Sequence, residues 1–174
     1  MIDALGLGRD DPCAPVQTLR RYPPRPLSRS LRPTYCFGEL IIEKRLIYRS
    51  QPFGFDRSML AGILSAARRN NPQMGITGAL ICRHDLYLQL IEGPADAIDT
   101  LYARIIADDR HANVELLLSE DMGERLFPNW AMLDDEARSL FWSAEDVAGG
   151  ALEAASPEEL HAPFIRLSEA NPSG

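Results

Sequence analysis

The hydrophobic and polar positions between residues 45 and 133 follow two different periods. Short stretches alternate with a period of two, which is typical of strands, and two longer stretches repeat every three or four residues, which is typical of amphipathic helices. The pattern therefore predicts five strands and two helices in the order β-α-β-β-α-β-β. The strands are predicted at Arg45–Ser50, Gly75–Cys82, Leu86–Glu92, Val114–Ser119 and Trp130–Leu133, and the helices at Asp56–Asn71 and Asp96–Ala107.

Each predicted helix carries a single apolar stripe, so each is expected to pack one face against a sheet. Pro72 ends the first helix, and the short turn Arg83-His84-Asp85 joins the second and third strands as a hairpin. The stripes consist of Leu60, Ile63, Leu64 and Ala67 in the first helix, and of Ile98, Leu101, Tyr102, Ile105 and Ile106 in the second.

This order of elements predicts an α+β fold of the ferredoxin-like type, βαββαβ with one further strand. The mixed sheet would carry both helices on one face, and its other face would need a cover. Two further apolar patterns, at Glu136–Val147 and Pro157–Ala170, predict C-terminal helices that supply this cover. The chain would then consist of a disordered leader at 1–44, a domain at 45–133 and an acidic helical extension at 134–174.

The leader and the C-terminal extension differ in charge. The leader contains the Arg-rich, Pro-broken stretch 20–33, whereas residues 134–174 carry nine acidic residues and two Arg. The formal net charge of −7 argues against nonspecific binding of nucleic acid by the whole chain. No apolar run approaches the roughly 20 residues of a membrane span, and the start does not predict a secretory signal. Three scattered cysteines indicate free thiols in a reducing, cytoplasmic setting.

Five residues in the predicted core are polar, aromatic or sulfur-containing, and each has an ordinary structural interpretation. Asn71 could cap the first helix, Gln89 could be satisfied by neighbouring backbone, and Tyr48 could be a core tyrosine. Trp130 and Met132 lie two residues apart, so they are expected on one face of the last strand. Together these residues predict a flat slot between the helices and the sheet, suited to a planar heteroaromatic ligand with an amide-like edge.

Motifs of catalysis and phosphate binding are absent from the chain. It contains no GxGxxG, GxxxxGK[ST], GxSxG or HExxH sequence, and its three histidines have no metal-like spacing with the cysteines. The sequence therefore predicts a protein that is not an enzyme and that binds no metal.

Six short motifs resemble those of the BLUF domain, the sensor of blue light using FAD, in the same order and near the same spacing. The resemblance covers about residues 45–133. The motifs are RLIYRS, ARRNN, GITGALI, LYLQLIEGP, DDRH and RLFPNWAM.

The resemblance implies an FAD cofactor between the two helices, on one face of the ferredoxin-like sheet. It assigns cofactor binding to Tyr48, Asn71, Gln89, Arg110 and His111. Asn71 would bind the polar edge of the isoalloxazine, and Gln89 would lie between Tyr48 and the flavin. Arg110 and His111 would lie near the pyrimidine edge and the ribityl–phosphate side.

The resemblance also implies a photoactive switch made of Tyr48, Gln89, Trp130 and Met132. In that mechanism the tyrosine gives an electron to the photoexcited flavin and a proton moves through the glutamine. The rearranged glutamine shifts the flavin absorption to the red and biases the last strand. The output would reach an unidentified partner protein, and the sequence is compatible with a homodimer or higher oligomer. Tyr87 replaces the Phe usual in the family and could act as a competing electron donor.

Two alternatives of other classes remain open. A flavin-using enzyme on the same scaffold would need a base or nucleophile, for which His111 is the candidate. A light-blind interaction module would have lost the cofactor, although the joint presence of Tyr48, Asn71 and Gln89 argues against it, because an empty slot would leave buried amides unpaired.

Overall fold

A computed structural model describes residues 42–52, 56–136 and 140–172 of the chain. The leader predicted at 1–44 falls almost entirely outside the described residues. Among these residues, no helix is both long and apolar enough to cross a bilayer. The elements are β1 (Glu43–Pro52), α1 (Arg57–Asn70), a 3₁₀ turn (Asn71–Met74), β2 (Thr77–Arg83), β3 (Leu86–Pro94), α2 (Ala95–Ile106), β4 (His111–Asp121), β5 (Leu133–Asp135), α3 (Ala144–Ala148) and α4 (Pro157–Ala170).

The five strands form one mixed sheet in the order β4-β1-β3-β2-β5. β1 pairs antiparallel with both β3 and β4, and β2 pairs antiparallel with β3 and parallel with β5. This arrangement confirms the predicted ferredoxin-like α+β fold. The register sets Tyr48 of β1 and Leu80 of β2 opposite Gln89 of the central strand β3. Gln89 therefore lies at the middle of the sheet.

Alternation along β1 and β3 divides the sheet into two apolar faces. Leu46, Tyr48 and Ile91 contribute to the face that packs on α1 and α2. Both helices pack their predicted stripes there: Ile63, Leu64 and Ile98 are buried, Ile106 is 56% exposed and the others are half-buried. Ile47 contributes to the opposite face. Because both faces are covered, β3 is buried along nearly its whole length.

The C-terminal residues cover the second face, as predicted. α4 has the predicted bounds, and its Leu160, Phe164 and Leu167 are buried in the second core. The predicted helix Glu136–Val147 is confirmed only over its last four residues, because α3 begins at Ala144 and the described residues before it are not helical. The cause is local: Ser143 and Asp146 form a capping box, which fixes the start of the helix there. Residues 137–139 of that predicted helix lie outside the described residues.

The last predicted strand is also misplaced. β5 covers Leu133–Asp135 rather than Trp130–Leu133, and the chain bends at Ala131 and Met132. Alternation of side chains applies only to extended backbone, so the bend separates the two residues that were expected on one face. Met132 is buried in the core on the side of α1 and α2, whereas Trp130 packs against the core under the C-terminal helices.

Candidate functional site

A cavity of about 170 Å³ lies between α1 and α2, with the sheet as its floor. Ligand sites that enclose a whole drug-sized molecule measure about 300–1,000 Å³. The cavity is therefore too small to enclose a whole molecule of that size, and could hold only a part of a larger cofactor. Apolar side chains from both helices form the walls, among them Ile63, Ala67, Leu101 and Ile105. The polar lining includes Tyr48, Asn71, Gln89, Arg104, Asp108, Arg110 and His111.

Tyr48 and Gln89 form the polar centre of the cavity floor. The Tyr48 hydroxyl donates a 2.5 Å hydrogen bond to Oε1 of Gln89, and both side chains are buried. Burial raises the pKa of Tyr48 well above its ordinary value, and the nearby Tyr102 and Asp108 raise it further. Tyr48 is therefore a neutral phenol at physiological pH, with its proton directed at an amide oxygen.

The nitrogen of the Gln89 amide faces a weak partner. Nε2 lies 3.7 Å from the thioether sulfur of Met132, which is a weak acceptor. Neither partner of Gln89 is neighbouring backbone, so the simple structural interpretation of this residue does not hold. A ligand in the cavity that offers a carbonyl or ring nitrogen would give the amide a better acceptor than the sulfur does.

Asn71 directs its side chain across the end of the cavity. Its backbone is helical, with φ of −59°, so it is not a left-handed C-cap; the chain enters that conformation only at Gly75, with φ of 66°. Nδ2 of Asn71 donates to the carbonyl of Ala131 at 2.9 Å. The side chain therefore joins the cavity wall to the segment that holds Met132.

The loop before β4 brings charge to the cavity. Asp108 and Arg110 form a forked ion pair, with Nε to Oδ1 at 2.8 Å and Nη2 to Oδ2 at 2.5 Å. The Arg110 side chain lowers the pKa of Asp108 to about 2, so the pair remains ionised at neutral pH. Sequence reasoning missed Asp108 and Arg104 as cavity residues, although Asp108 begins the DDRH motif that pointed to Arg110 and His111.

His111, at the start of β4, lines the cavity beside this pair. Its Nδ1 lies 3.0 Å from Oγ of Ser50, and its ring packs edge-on against Tyr48 and Tyr87. Burial lowers the pKa of His111, the Arg110 cation lowers it further, and Asp108 opposes both effects. His111 therefore contributes a neutral imidazole rather than a cation.

Tyr87 lies on the same face of the sheet but outside the cavity lining. Its ring is fully buried, and its hydroxyl has no hydrogen-bond partner among the described residues. An oxidised tyrosine must release its phenolic proton, so a hydroxyl without an acceptor is poorly placed for this. Of these two tyrosines, Tyr48 has an acceptor for its hydroxyl proton, whereas Tyr87 has none among the described residues.

The structure thus brings most of the predicted site residues together. Trp130 is the exception, because it lines a separate groove with residues at the C-terminal end of α4. Met132 does not line the cavity either, but its thioether sulfur lies 3.7 Å from Nε2 of Gln89.

These side chains fit an FAD cofactor. Its isoalloxazine is a flat heteroaromatic ring with an amide-like edge, and the cavity is a flat apolar slot that presents two buried amides, Asn71 and Gln89. Its diphosphate is anionic, and Arg104 supplies a cation, whereas the charge of Arg110 is paired with Asp108. The fold and the cavity define the chain as a ferredoxin-like domain with a site for a planar cofactor.

Comparison with known proteins identifies the family. The family model "BLUF: Sensors of blue-light using FAD" matches residues 44–133, and the chain belongs to this family. FAD is accordingly the cofactor by which the family is defined. The solved dark-state structure of the BLUF protein BlrB aligns with a TM-score of 0.63 and 31% identity, over 74% of this chain and 97% of that one.

Two curated relatives match this chain over only a small part of their own length. The photoactivated adenylate cyclase subunit beta of Euglena gracilis is 36% identical over 91 residues, which is 51% of this chain and 11% of that protein. The blue light- and temperature-regulated antirepressor BluF of Escherichia coli is 35% identical over 65 residues, which is 37% of this chain and 16% of that protein. The match thus spans only about a tenth of the first relative.

Proposed function

We propose that this chain is a blue-light photoreceptor in which Tyr48 and Gln89 convert light absorption into a rearranged hydrogen-bond network. The observation that carries the proposal is the buried hydrogen bond from the Tyr48 hydroxyl to Gln89 Oε1 at the cavity floor. This bond supplies the two things that the switch requires: a neutral tyrosine, and an adjacent group that accepts its proton.

FAD, when bound, supplies absorption of blue light and a one-electron acceptor. Asn71 and Gln89 orient the polar edge of the ring, and the walls from α1 and α2 exclude water. Tyr48 holds its proton at Oη until the proton moves to Gln89. The Gln89 amide then rotates or tautomerises, which changes what its nitrogen donates to and what its oxygen accepts. Arg110 and His111 complete the binding site as a cation and a neutral ring.

Met132 is proposed as the first output residue, because it contacts Gln89 Nε2 directly. Trp130, two residues earlier in the same segment, would pass a movement to the side of the C-terminal helices, against which it packs. The network thus links the cavity on one face of the sheet to the cover on the other.

We propose further that the chain acts as a sensor without catalysis of its own and signals to a separate protein. The Euglena relative named above is a cyclase subunit and the Escherichia coli relative is an antirepressor, so sensing domains of this family occur with different outputs. The acidic residues 134–174 are the proposed contact, which favours a partner with a basic surface. We expect a cytoplasmic location, and a homodimer is compatible with this proposal.

The decisive measurement is an absorption spectrum of the purified protein with FAD, before and after blue light. A reversible red shift of the flavin bands that decays in the dark is expected. Bleaching or reduction without recovery would favour the flavin-using enzyme. Failure to bind FAD would favour the light-blind interaction module.

A further inference from the structure

Glu92 of β3 is a fully buried carboxylate outside the proposed switch. It lies three residues after Gln89 on the same strand, and its side chain is 0% exposed. Arg45, its partner across β1, donates to Oε1 from both Nε at 2.9 Å and Nη2 at 2.8 Å. A buried charge is tolerated when it is paired and its remaining lone pairs are also satisfied.

Backbone amides satisfy those remaining lone pairs. The N–H of Leu126 donates to Oε1 of Glu92 at 2.8 Å, and the N–H of Phe127 donates to Oε2 at 3.0 Å. Arg45 adds a bond to the carbonyl of Glu124 at 3.0 Å. Phe127 itself is buried and packs edge-on against Phe164 of α4. Glu92 thus fixes the first part of the segment Leu126–Met132, which we call the output segment.

Different groups hold the other end of the output segment. Gly78 donates to the carbonyl of Trp130 at 3.0 Å, and Asn71 donates to that of Ala131 at 2.9 Å. Arg68 of α1 donates to the carbonyl of Met132 at 3.1 Å. A change at the cavity therefore reaches residues 130–132 directly, whereas residues 126 and 127 are held by a charged group outside the cavity lining.

We propose that Glu92 is a positioning residue that fixes Leu126 and Phe127 as a pivot, so that movement at the cavity is confined to Trp130–Met132. The inference rests on the proposed light response and adds a regulatory part to it. Without the pivot, the movement would be spread along the output segment and into the contact between Phe127 and Phe164.

Amide hydrogen exchange of the full-length protein with FAD tests the pivot, in the dark and under blue light. Glu92→Gln keeps the shape of the side chain but replaces one acceptor oxygen with a donor facing Phe127. Glu120→Gln is the matched control, because Glu120 also binds Arg45, at 3.2 Å, but accepts from neither amide of the segment. Loss of a hydrogen bond to a charged group shifts the equilibrium between the bonded and the open amide by roughly tenfold or more. Glu92→Gln should therefore speed dark amide exchange at Leu126 and Phe127 by roughly tenfold or more.

The light response separates a pivot from simple stabilisation. In the unmodified protein, light should increase exchange at Trp130–Met132 and leave Leu126 and Phe127 unchanged. In Glu92→Gln the increase should extend to both of these residues. Unchanged dark exchange in Glu92→Gln, or faster exchange equally throughout the sheet, would overturn the proposal.

If Glu92→Gln does not fold, the unmodified protein alone still tests the proposal. Light would overturn the pivot if it increased amide exchange at Leu126 and Phe127 as much as at Trp130–Met132. A missing red shift would instead contradict the proposed function. In that case the dark comparison would still decide whether Glu92 anchors the segment.

Discussion

Among single residues, hydrogen-bond partners distinguish two tyrosines that have similar burial. Tyr48 and Tyr87 are both fully buried on the same face of the sheet, in neighbouring strands. Tyr48 donates to Gln89, whereas the Tyr87 hydroxyl has no partner among the described residues. Proton transfer must accompany oxidation of a phenol, so this difference supports the proposal that Tyr48 is the electron donor.

Tyr48→Phe and Gln89→Leu should each retain FAD and abolish the light-induced red shift. The first change removes the proton, and the second removes the amide that accepts it. Tyr87→Phe is the control, because it removes a hydroxyl of the same burial that has no partner, and it should leave the red shift intact. Difference spectra after a blue flash provide the measurement. A normal photocycle in Tyr48→Phe would contradict the assignment.

Asn71→Ala should weaken FAD binding by roughly 5- to 150-fold. The substitution removes a buried amide that lines the cavity, and a hydrogen bond of this kind contributes about 1–3 kcal/mol when its loss leaves a partner unsatisfied. It also leaves the Ala131 carbonyl without its 2.9 Å donor. Fluorescence titration of the apoprotein with FAD measures the change, and an unaltered affinity would remove Asn71 from the binding site.

The buried His111 makes the free energy of unfolding depend on pH, and its lowered pKa sets the direction of that dependence. The unfolded chain takes up a proton on this imidazole near pH 6.5, whereas the folded chain does so only at lower pH, because its pKa is lowered. The free energy of unfolding should therefore decrease as the pH falls below about 6.5, by at most about 1.4 kcal/mol per pH unit from this group.

Denaturant unfolding at several pH values between 7.5 and 5 measures this slope. His111→Asn isolates the contribution, because His84 and His161 remain in both proteins. The slope should be shallower in the variant. Equal slopes would mean that His111 does not titrate differently in the folded and unfolded states.

Among the elements, the sequence pattern predicted α1, α2, α4 and the central strands well and failed at α3 and around β5. The stripes of α1 and α2 and the burial of β3 depend on local periodicity, which is visible in the sequence. The positions of Trp130 and Met132 depend instead on hydrogen bonds from Gly78, Asn71 and Arg68, which are distant in sequence. The same reasoning explains why the buried Glu92 could not be recognised: its partners are backbone amides more than 30 residues away.

Met132→Ala should preserve the red shift and reduce the structural response of the output segment. Met132 is 1% exposed and contacts Gln89 only through a weak sulfur bond. The red shift is therefore expected without it, whereas the proposed transmission would require it. The cavity created should also lower the free energy of unfolding by about 2–5 kcal/mol. Met132→Leu controls for volume. Light-minus-dark amide exchange at Trp130–Met132 is the measurement, and an undiminished response would exclude Met132 from the relay.

In the molecule as a whole, the described residues after 133, 134–136 and 140–172, are part of the fold rather than an appendage to it. α4 contributes Leu160, Phe164 and Leu167 to the core on the face of the sheet opposite the cavity. The first residues of the predicted extension, Asp134 and Asp135, also continue β5. The family match ends at residue 133, but the packed domain does not. A partner that binds the acidic surface would therefore contact the body of the sensor directly.

Phe164→Ala tests whether α4 is part of the packed domain, and Ile165→Ala in the same helix is the control. Phe164 is 0% exposed and packs against Phe127 of the output segment, so truncation should lower the free energy of unfolding by about 3–5 kcal/mol. Ile165 is 41% exposed, and Ile165→Ala should change stability by only about 0.5 kcal/mol. Denaturant unfolding monitored by FAD release measures both. If the two changes had equal small effects, α4 would be an independent extension, and light signals would have to leave the domain by another route.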